Sequence, residues 1–448
     1  MLKLFLWLRY LRKKKIVFLS ITAVALSAAL LIVVASLFTG FINAFEQSAV
    51  EAVGDIVLAP PVKFAKYQLF IERLEQVRQV KAATATLSGQ GLLHLGKGNV
   101  RAVKLSGIEP ESRAKVTGLK QFLHKQKELP REPSFEVPGL PEKLGGFVGI
   151  GVVAEPDEKT DEYDFAEIEK MVGQQVVLTT GAVSRARENK STRAQFKRKT
   201  VKLAIADIVF TGVYDLDKSY VYLPIERLQR ILYPNQAGQV ADQIQIKLAG
   251  DTQADVAMAQ IRGLWRQFAT EQLGWGPYLI NETIIITAKE MQSPLVAAFR
   301  KQLGILLLIF GVVSFTVVLL ILCIFYMIVV TRQKDIAIIK SCGATGSSVA
   351  LIFVGFGAFV GIIGSGMGAI MGYIVTKNIN TIEEWIRIIF GLKLWKSSVY
   401  MFSKIPNEID WDSALPIILS AVIAASLGAL IPAIIAVRTR PVNILRYE

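Results

Sequence analysis

Cysteine and histidine are scarce: two of each occur in 448 residues. Cys323 lies in an apolar run and Cys342 in the charged segment that follows it, so the stretch from 41 to 301 has no disulfide to hold it. His94 and His124 have no cysteine or carboxylate at metal-ligand spacing. Neither H-E-x-x-H nor G-x-S-x-G occurs. The acidic stretch from Glu155 to Glu169 lacks the spacing of a calcium loop. The chain itself is therefore assigned no catalytic residue, metal or cofactor.

Charge is the third absence. Ile16–Phe38, Leu303–Val330, Val349–Val375 and Ser413–Val437 contain no Asp, Glu, Lys, Arg or His. Each reaches the roughly 20 apolar residues that cross a bilayer, so the sequence predicts four transmembrane helices. A signal-peptide core has about 7–15 apolar residues, so the longer first run reads as a retained helix. Ion-coupled carriers and proton pumps need ionisable groups within the membrane. Their lack argues against a secondary transporter or a selective channel.

What is present is apolar and basic. Hydrophobic residues make up 52% of the chain, mean hydropathy is +0.42 and the net charge is +14. Lys3, Arg9, Arg12, Lys13, Lys14 and Lys15 precede the first run; Arg332, Lys334 and Lys340 follow the second; Arg438, Arg440 and Arg446 follow the fourth. Lysine and arginine favour the cytoplasmic side, which places both termini and the 331–348 segment there. Lys377, Arg387, Lys393, Lys396 and Lys404 run against that rule in the loop 377–412, but helix parity decides the orientation. The charge reads as membrane surface, not nucleic acid.

The expected division follows: 1–15 basic terminus; helices at 16–40, 302–330, 349–376 and 413–437; an α+β outer domain at 41–301; a charged helix at 331–348; an outer loop at 377–412; and a tail at 438–448. In the outer domain "DIVLAP" (55–60) reads as a strand and "YQLFIERLEQVRQV" (67–80) as a helix. Strands 91–95 and 99–108 flank a Gly96-Lys97-Gly98 turn, and 242–250 alternates as a strand. A helix at 255–274 ending near Gly274 and a strand at 278–286 complete it. Segments 55–110 and 236–290 are expected to form one α/β layer, split by a strand-rich insertion at 111–235. In the insertion Arg185, Arg187, Lys190, Arg193, Lys197, Arg198 and Lys199 crowd one loop, either a solvated hairpin or a dock for an acidic partner.

Two glycine patterns resemble nucleotide loops. The segment from Gly91 to Gly98 lacks the closing hydroxyl and the helix of a phosphate loop, and Gly364–Ala369 has no strand before it. The second is better read as packing: Gly357, Gly361, Gly364, Gly368 and Gly372 supply three G-x-x-x-G pairs that let helix backbones approach closely.

Between the second and third runs stands "TRQKDIAIIKSCGAT" (331–345). Ile336, Ile339 and Ala337 give it an apolar stripe, Lys334, Asp335 and Lys340 a polar one, and Gly343 an end. Such a helix is suited to meeting a soluble partner at the membrane face. This stretch, from Asp335 through Ile336, Ile339 and Lys340 to Gly343 and Ala344, resembles the corresponding segment of the permease family that includes MacB, FtsX, LolC and LolE. The ending at Pro441, Leu445, Arg446, Tyr447 and Glu448 resembles the same family, with Asn443-Ile444 in place of its acid-alanine pair. "VKLSGIEP" (103–110) and "TGVYDLDKSYVYLPIERLQRIL" are similar to the lipoprotein-releasing LolC/LolE branch.

The resemblance implies one helix, a periplasmic domain with porter-like (55–110 and 236–290) and sabre-like (111–235) parts, then three helices in the bacterial inner membrane. It implies a dimer with a second permease copy or paralogue, and a cytoplasmic ATPase dimer that binds ATP and magnesium and docks on the charged helix. Dimer closure would do mechanical work on a periplasmic client. Lipoprotein release is the expected task, with a MacB-like exporter or an FtsX-like regulator of a cell-wall hydrolase as alternatives and an ATPase-free membrane sensor as a different class. In LolC a hairpin hook rich in Pro and Met recruits a periplasmic lipoprotein carrier. The matching segment here, 181–200, has neither residue and is basic.

Overall fold

The computed structural model describes residues 15–96, 98–137, 143–157, 160–188, 191–234, 238–250, 252–391, 393–396, 402 and 404–438, without the side chains of 15 and 183–196. The basic terminus 1–14, Lys97, and the ending from 439 with its Pro441–Glu448 motif therefore lie outside the described residues. The chain forms two compact units. One gathers the residues up to Ala44, Leu295–Trp385 and those from Ile405; the other gathers Phe45–Pro294 and Ile386–Lys404.

Among the described residues, four helices are long and apolar enough to cross a membrane: Lys15–Val53, Ala288–Thr331, Gly346–Lys377 and Trp411–Arg438. The first two outrun the expected 16–40 and 302–330. Beyond residue 40, Ile42, Phe45 and Ala49 continue the apolar spacing and are buried, so nothing in the sequence stops the helix before Gly54 at φ +84°. The second begins with a capping box that composition did not reveal. Thr287 N donates to Glu290 Oε2 at 2.9 Å, and Glu290 N donates to Thr287 Oγ1 at 3.0 Å. Pro294 lies further inside this helix, where it removes one i→i−4 backbone hydrogen bond.

In the other unit, strands β1 (Ile56–Ala59), β10 (Gln243–Leu248), β11 (Ile284–Thr287) and the first half of β3 (Val80–Gly96) form an antiparallel sheet in the order β11-β1-β10-β3, and the short strands β2 (Phe64–Ala65) and β9 (Val240–Ala241) pair with each other. Helices Tyr67–Glu75 and Ala254–Glu271 pack together through Phe70, Trp265 and Phe268, which are fully buried; the Phe70 and Phe268 rings lie 4.9 Å apart. The expected helix 67–80 stops five residues early because Val80 already begins β3. The expected strand 278–286 is a short helix, Pro277–Asn281, followed by β11, since Pro277 sets a helical first position.

β3 is a single strand of 17 residues that serves two sheets. Val80–Thr86 pairs with β10, whereas Leu87–Gly96 pairs with β4 (Asn99–Ile108) through the predicted hairpin, with Gly96 at φ +92° and Gly98 at φ +80°. From β4 the ladder runs through β8 (Tyr220–Pro224), β5 (Gly145–Gly149), β7 (Ser191–Val209) and β6 (Gln175–Glu188), and β6 pairs back onto β3. Six strands thus close a barrel, filled by Leu93, Leu105, Leu178, Leu203, Val221 and Leu223. Closure depends on Gly91: a Cβ there would sit 2.9 Å from Thr179 O. The expected division at 110/111 is corrected accordingly. The 91–108 hairpin belongs to the inserted barrel, and the two sheets part inside β3 near residue 86.

Candidate functional site: the charged helix, the glycine stripe and the basic arm

The charged helix spans Gln333–Ser341. Arg332 Nη1 lies 3.0 Å from Asp335 Oδ2, bracing its first turn. Gly343 at φ +96° ends it, and Thr345 starts the third spanning helix by accepting from Ser348 N at 3.3 Å. Ile336 and Ala337 are buried, with Ile336 in an apolar cluster that includes Val349, Phe353 and Ala433 of the same chain. Lys340 Nζ donates to Val437 O at 2.7 Å, and Ile339 and Ala344 are half-buried.

These contacts correct the expected partner-facing stripe. Ile336 and Lys340 hold the helix onto its own bundle. The face left outward is Lys334, Ile338 and Ser341, at helical spacing, with Cys342 and Gly343 beside it; Ile338 is 52% exposed. Sequence reasoning missed Ile338 because three isoleucines crowd one turn and local pattern alone does not say which faces inward.

The glycines of the third spanning helix lie along one stripe that meets two partners in succession. A Cβ at Gly357 would fall 2.6 Å from Ala429 Cβ, and one at Gly361 would fall 2.9 Å from Val422 Cα, both in the fourth helix. A Cβ at Gly364 would fall 2.7 Å from Val24 Cβ, one at Gly368 2.6 Å from Ala25 O, and one at Gly372 3.1 Å from Ile32 Cγ2, all in the first helix. The predicted stripe is brought together as close packing within one chain.

The basic segment is not one loop but the outer part of a long β6–β7 hairpin, paired from Gln175↔Ala204 to Glu188↔Ser191. β6 leaves β3 after Thr180 and β7 meets β5 from Ala204, so in between these strands pair only with each other. Eight residues beyond Thr180 give an arm about 26 Å long. The side chains of Arg185, Arg187, Lys190 and Arg193 lie outside the described residues. Lys197 and Arg198 are exposed at the arm's base, where with Lys104, Thr179 and Thr180 they line an open cavity of about 750 Å³. Lys199 Nζ donates to Arg230 O at 3.2 Å.

Both histidines have structural partners. His94 lies 3.2 Å from Thr179 Oγ1, and His124 stacks on Phe165 with ring centroids 5.6 Å apart. Among the described residues no group of three or more His, Cys, Asp or Glu is placed to hold a metal.

Residues 307–441 match the model of the FtsX-like permease C-terminal domain. The chain is 25% identical over 433 residues to the lipoprotein-releasing system transmembrane protein LolE of Haemophilus influenzae, covering 95% of this chain and 93% of that protein. It is 26% identical over 464 residues to LolC of the same system in Neisseria meningitidis, covering 100% and 99%. Among solved structures, the periplasmic region of MacB from Actinobacillus actinomycetemcomitans aligns over 55% of this chain and 95% of its own, at 16% identity and a TM-score of 0.34. Over nearly its whole length the chain is similar to LolC/LolE-type permeases, and its C-terminal third matches the FtsX-like permease domain.

Proposed function

We propose that this chain is the permease subunit of an ATP-binding-cassette system that releases lipoproteins from the bacterial inner membrane. ATP bound with magnesium is hydrolysed by a separate pair of cytoplasmic subunits, and a second permease, identical or paralogous, completes the dimer. Both termini and the Gln333–Ser341 helix face the cytoplasm in this reading. The observation that carries it is similarity over 93% and 99% of the length of two lipoprotein-releasing relatives. The exposed face around Ile338 supports the docking site, since it presents an apolar residue to the surroundings just beyond the end of a spanning helix.

Reconstitution tests the reading. The permease, its ATPase and a fluorescent lipoprotein are placed in vesicles, and lipoprotein leaving the membrane is measured with and without ATP. ATP-dependent release supports the function; ATP hydrolysis that neither responds to lipoprotein nor releases it overturns it. The basic arm is assigned to an acidic periplasmic carrier. Exchanging Arg185, Arg187, Lys197 and Arg198 for Glu is expected to stop transfer to the carrier while leaving the ATPase rate intact. Added salt should weaken transfer in the wild type, because exposed charges are screened over about 8–10 Å. Unchanged transfer would return the arm to a solvated hairpin.

A further inference from the structure

Helix Ile379–Phe390 is turned inside out for a helix packed on a soluble surface. At 100° per residue, Ile382, Trp385, Ile386 and Ile389 share one face, while Asn380, Glu383, Glu384 and Arg387 share the opposite one. Burial runs the reverse of the usual order. Glu383, Glu384 and Arg387 are half-buried, and Arg387 Nη1 lies 3.6 Å from Glu162 Oε1. Trp385 is 66% exposed and Ile389 70%. The polar face is engaged by protein, and the apolar face is left open at Ile382, Trp385 and Ile389, with Ile386 half-buried.

The chain fixes where this helix starts. The third spanning helix ends at Lys377, and only Asn378, whose Nδ2 donates to Ile374 O at 2.8 Å, separates the two. Tyr373 and Lys377 at that end and Trp411 at the start of the fourth spanning helix are residues of the kind that gather where bilayer meets water. The loop's lysines and arginine, which run against the cytoplasmic preference for positive charge, suit the same level through attraction to anionic headgroups.

We propose that Ile379–Phe390 lies in the membrane–water interface on the side where the third spanning helix ends, with Ile382, Trp385 and Ile389 inserted at the boundary of headgroups and acyl chains. The helix then anchors the outer loop to lipid. The proposal holds for any client and does not depend on lipoprotein release.

The full chain, with Cys323 and Cys342 changed to Ser, carries a spin label at one of Ile382→Cys, Glu384→Cys, Trp385→Cys or Ile389→Cys in phosphatidylethanolamine–phosphatidylglycerol vesicles. Labels at 382, 385 and 389 are expected to collide with oxygen and be shielded from a water-soluble nickel chelate, whereas one at 384, on the face engaged by protein, is expected to be protected from both. A second measurement leaves the native cysteines alone. Brominated lipids should quench a fluorescence component that disappears in Trp385→Phe. Nickel accessibility at 382, 385 and 389 clearly above that at 384 would mean the face is solvated and would overturn the proposal. Protection of those three positions from both reagents would mean that a second copy or another protein covers them, and would overturn it too, as would the absence of quenching assignable to Trp385.

Discussion

Arg113 Nη2 donates to Ala52 O at 2.7 Å, in the last turn of the helix that began at Lys15, and its Nη1 donates to Gln245 Oε1 on β10. The guanidinium is buried, with no carboxylate paired to it among the described residues; burial lowers its pKa to about 10, so it remains charged at neutral pH. A cation at a helix C-terminus meets the negative end of the helix dipole and satisfies a carbonyl that has no partner within the helix. Arg113→Met leaves two buried acceptors without donors, at about 1–3 kcal/mol each. It is expected to lower the unfolding midpoint of the detergent-solubilised protein clearly, with Arg113→Lys falling between. Midpoints equal to wild type would mean that water replaces the guanidinium.

The charged helix gives a paired prediction. Ile336→Asp places a carboxylate in the chain's own apolar cluster, so the expected result is poor extraction of the permease itself. Ile338→Asp alters only the open face, so the permease should extract normally yet fail to co-purify with its ATPase. Full ATPase recovery with Ile338→Asp would remove that face from the interface.

The spans, the 96–98 turn, the helices Tyr67–Glu75 and Ala254–Glu271 and the strands β1 and β10 were legible because each is written in local periodicity or in missing charge. The barrel was not. Its closure pairs Gly91 with Thr180 and runs β4 parallel to β8, contacts between residues far apart in sequence that leave no local pattern. The glycine stripe was readable as packing, but its partners were not, because spacing does not say whether a smooth face meets the same chain or another. The outward face at Ile338 was hidden for a related reason: which isoleucine turns inward depends on how the bundle receives the helix.

That stripe carries its own control. Gly368→Ala would place a methyl 2.6 Å from Ala25 O, whereas Gly366, two residues away, has nothing within 4 Å of its would-be Cβ. Gly368→Ala should lower the thermal midpoint of the solubilised protein and Gly364→Leu should lower it further. Gly366→Ala should leave the midpoint unchanged or raise it, since alanine is favoured over glycine in a helix by about 1 kcal/mol. Equal effects at 366 and 368 would show that the close approach to the first helix is not made.

The last prediction concerns pH. Asp217 is 2% exposed; its Oδ1 accepts from Thr211 N at 2.7 Å and from Thr211 Oγ1 at 2.9 Å, and its Oδ2 accepts from Gly212 N at 3.0 Å. Burial disfavours the charge and outweighs the pull of these donors, which raises the pKa to about 7. In the unfolded chain the same carboxyl titrates near 3.9. Between about pH 4 and about pH 7 the folded protein therefore holds a proton that the unfolded chain has released, so stability from this group falls as pH rises through that window. It is fully present below the window and flat above it. Asp217→Asn keeps an acceptor for Thr211 but turns an amide toward Gly212 N–H, so it should be less stable throughout while losing the slope. Unfolding midpoints of both proteins across this range measure the difference, and parallel curves would place the raised pKa elsewhere.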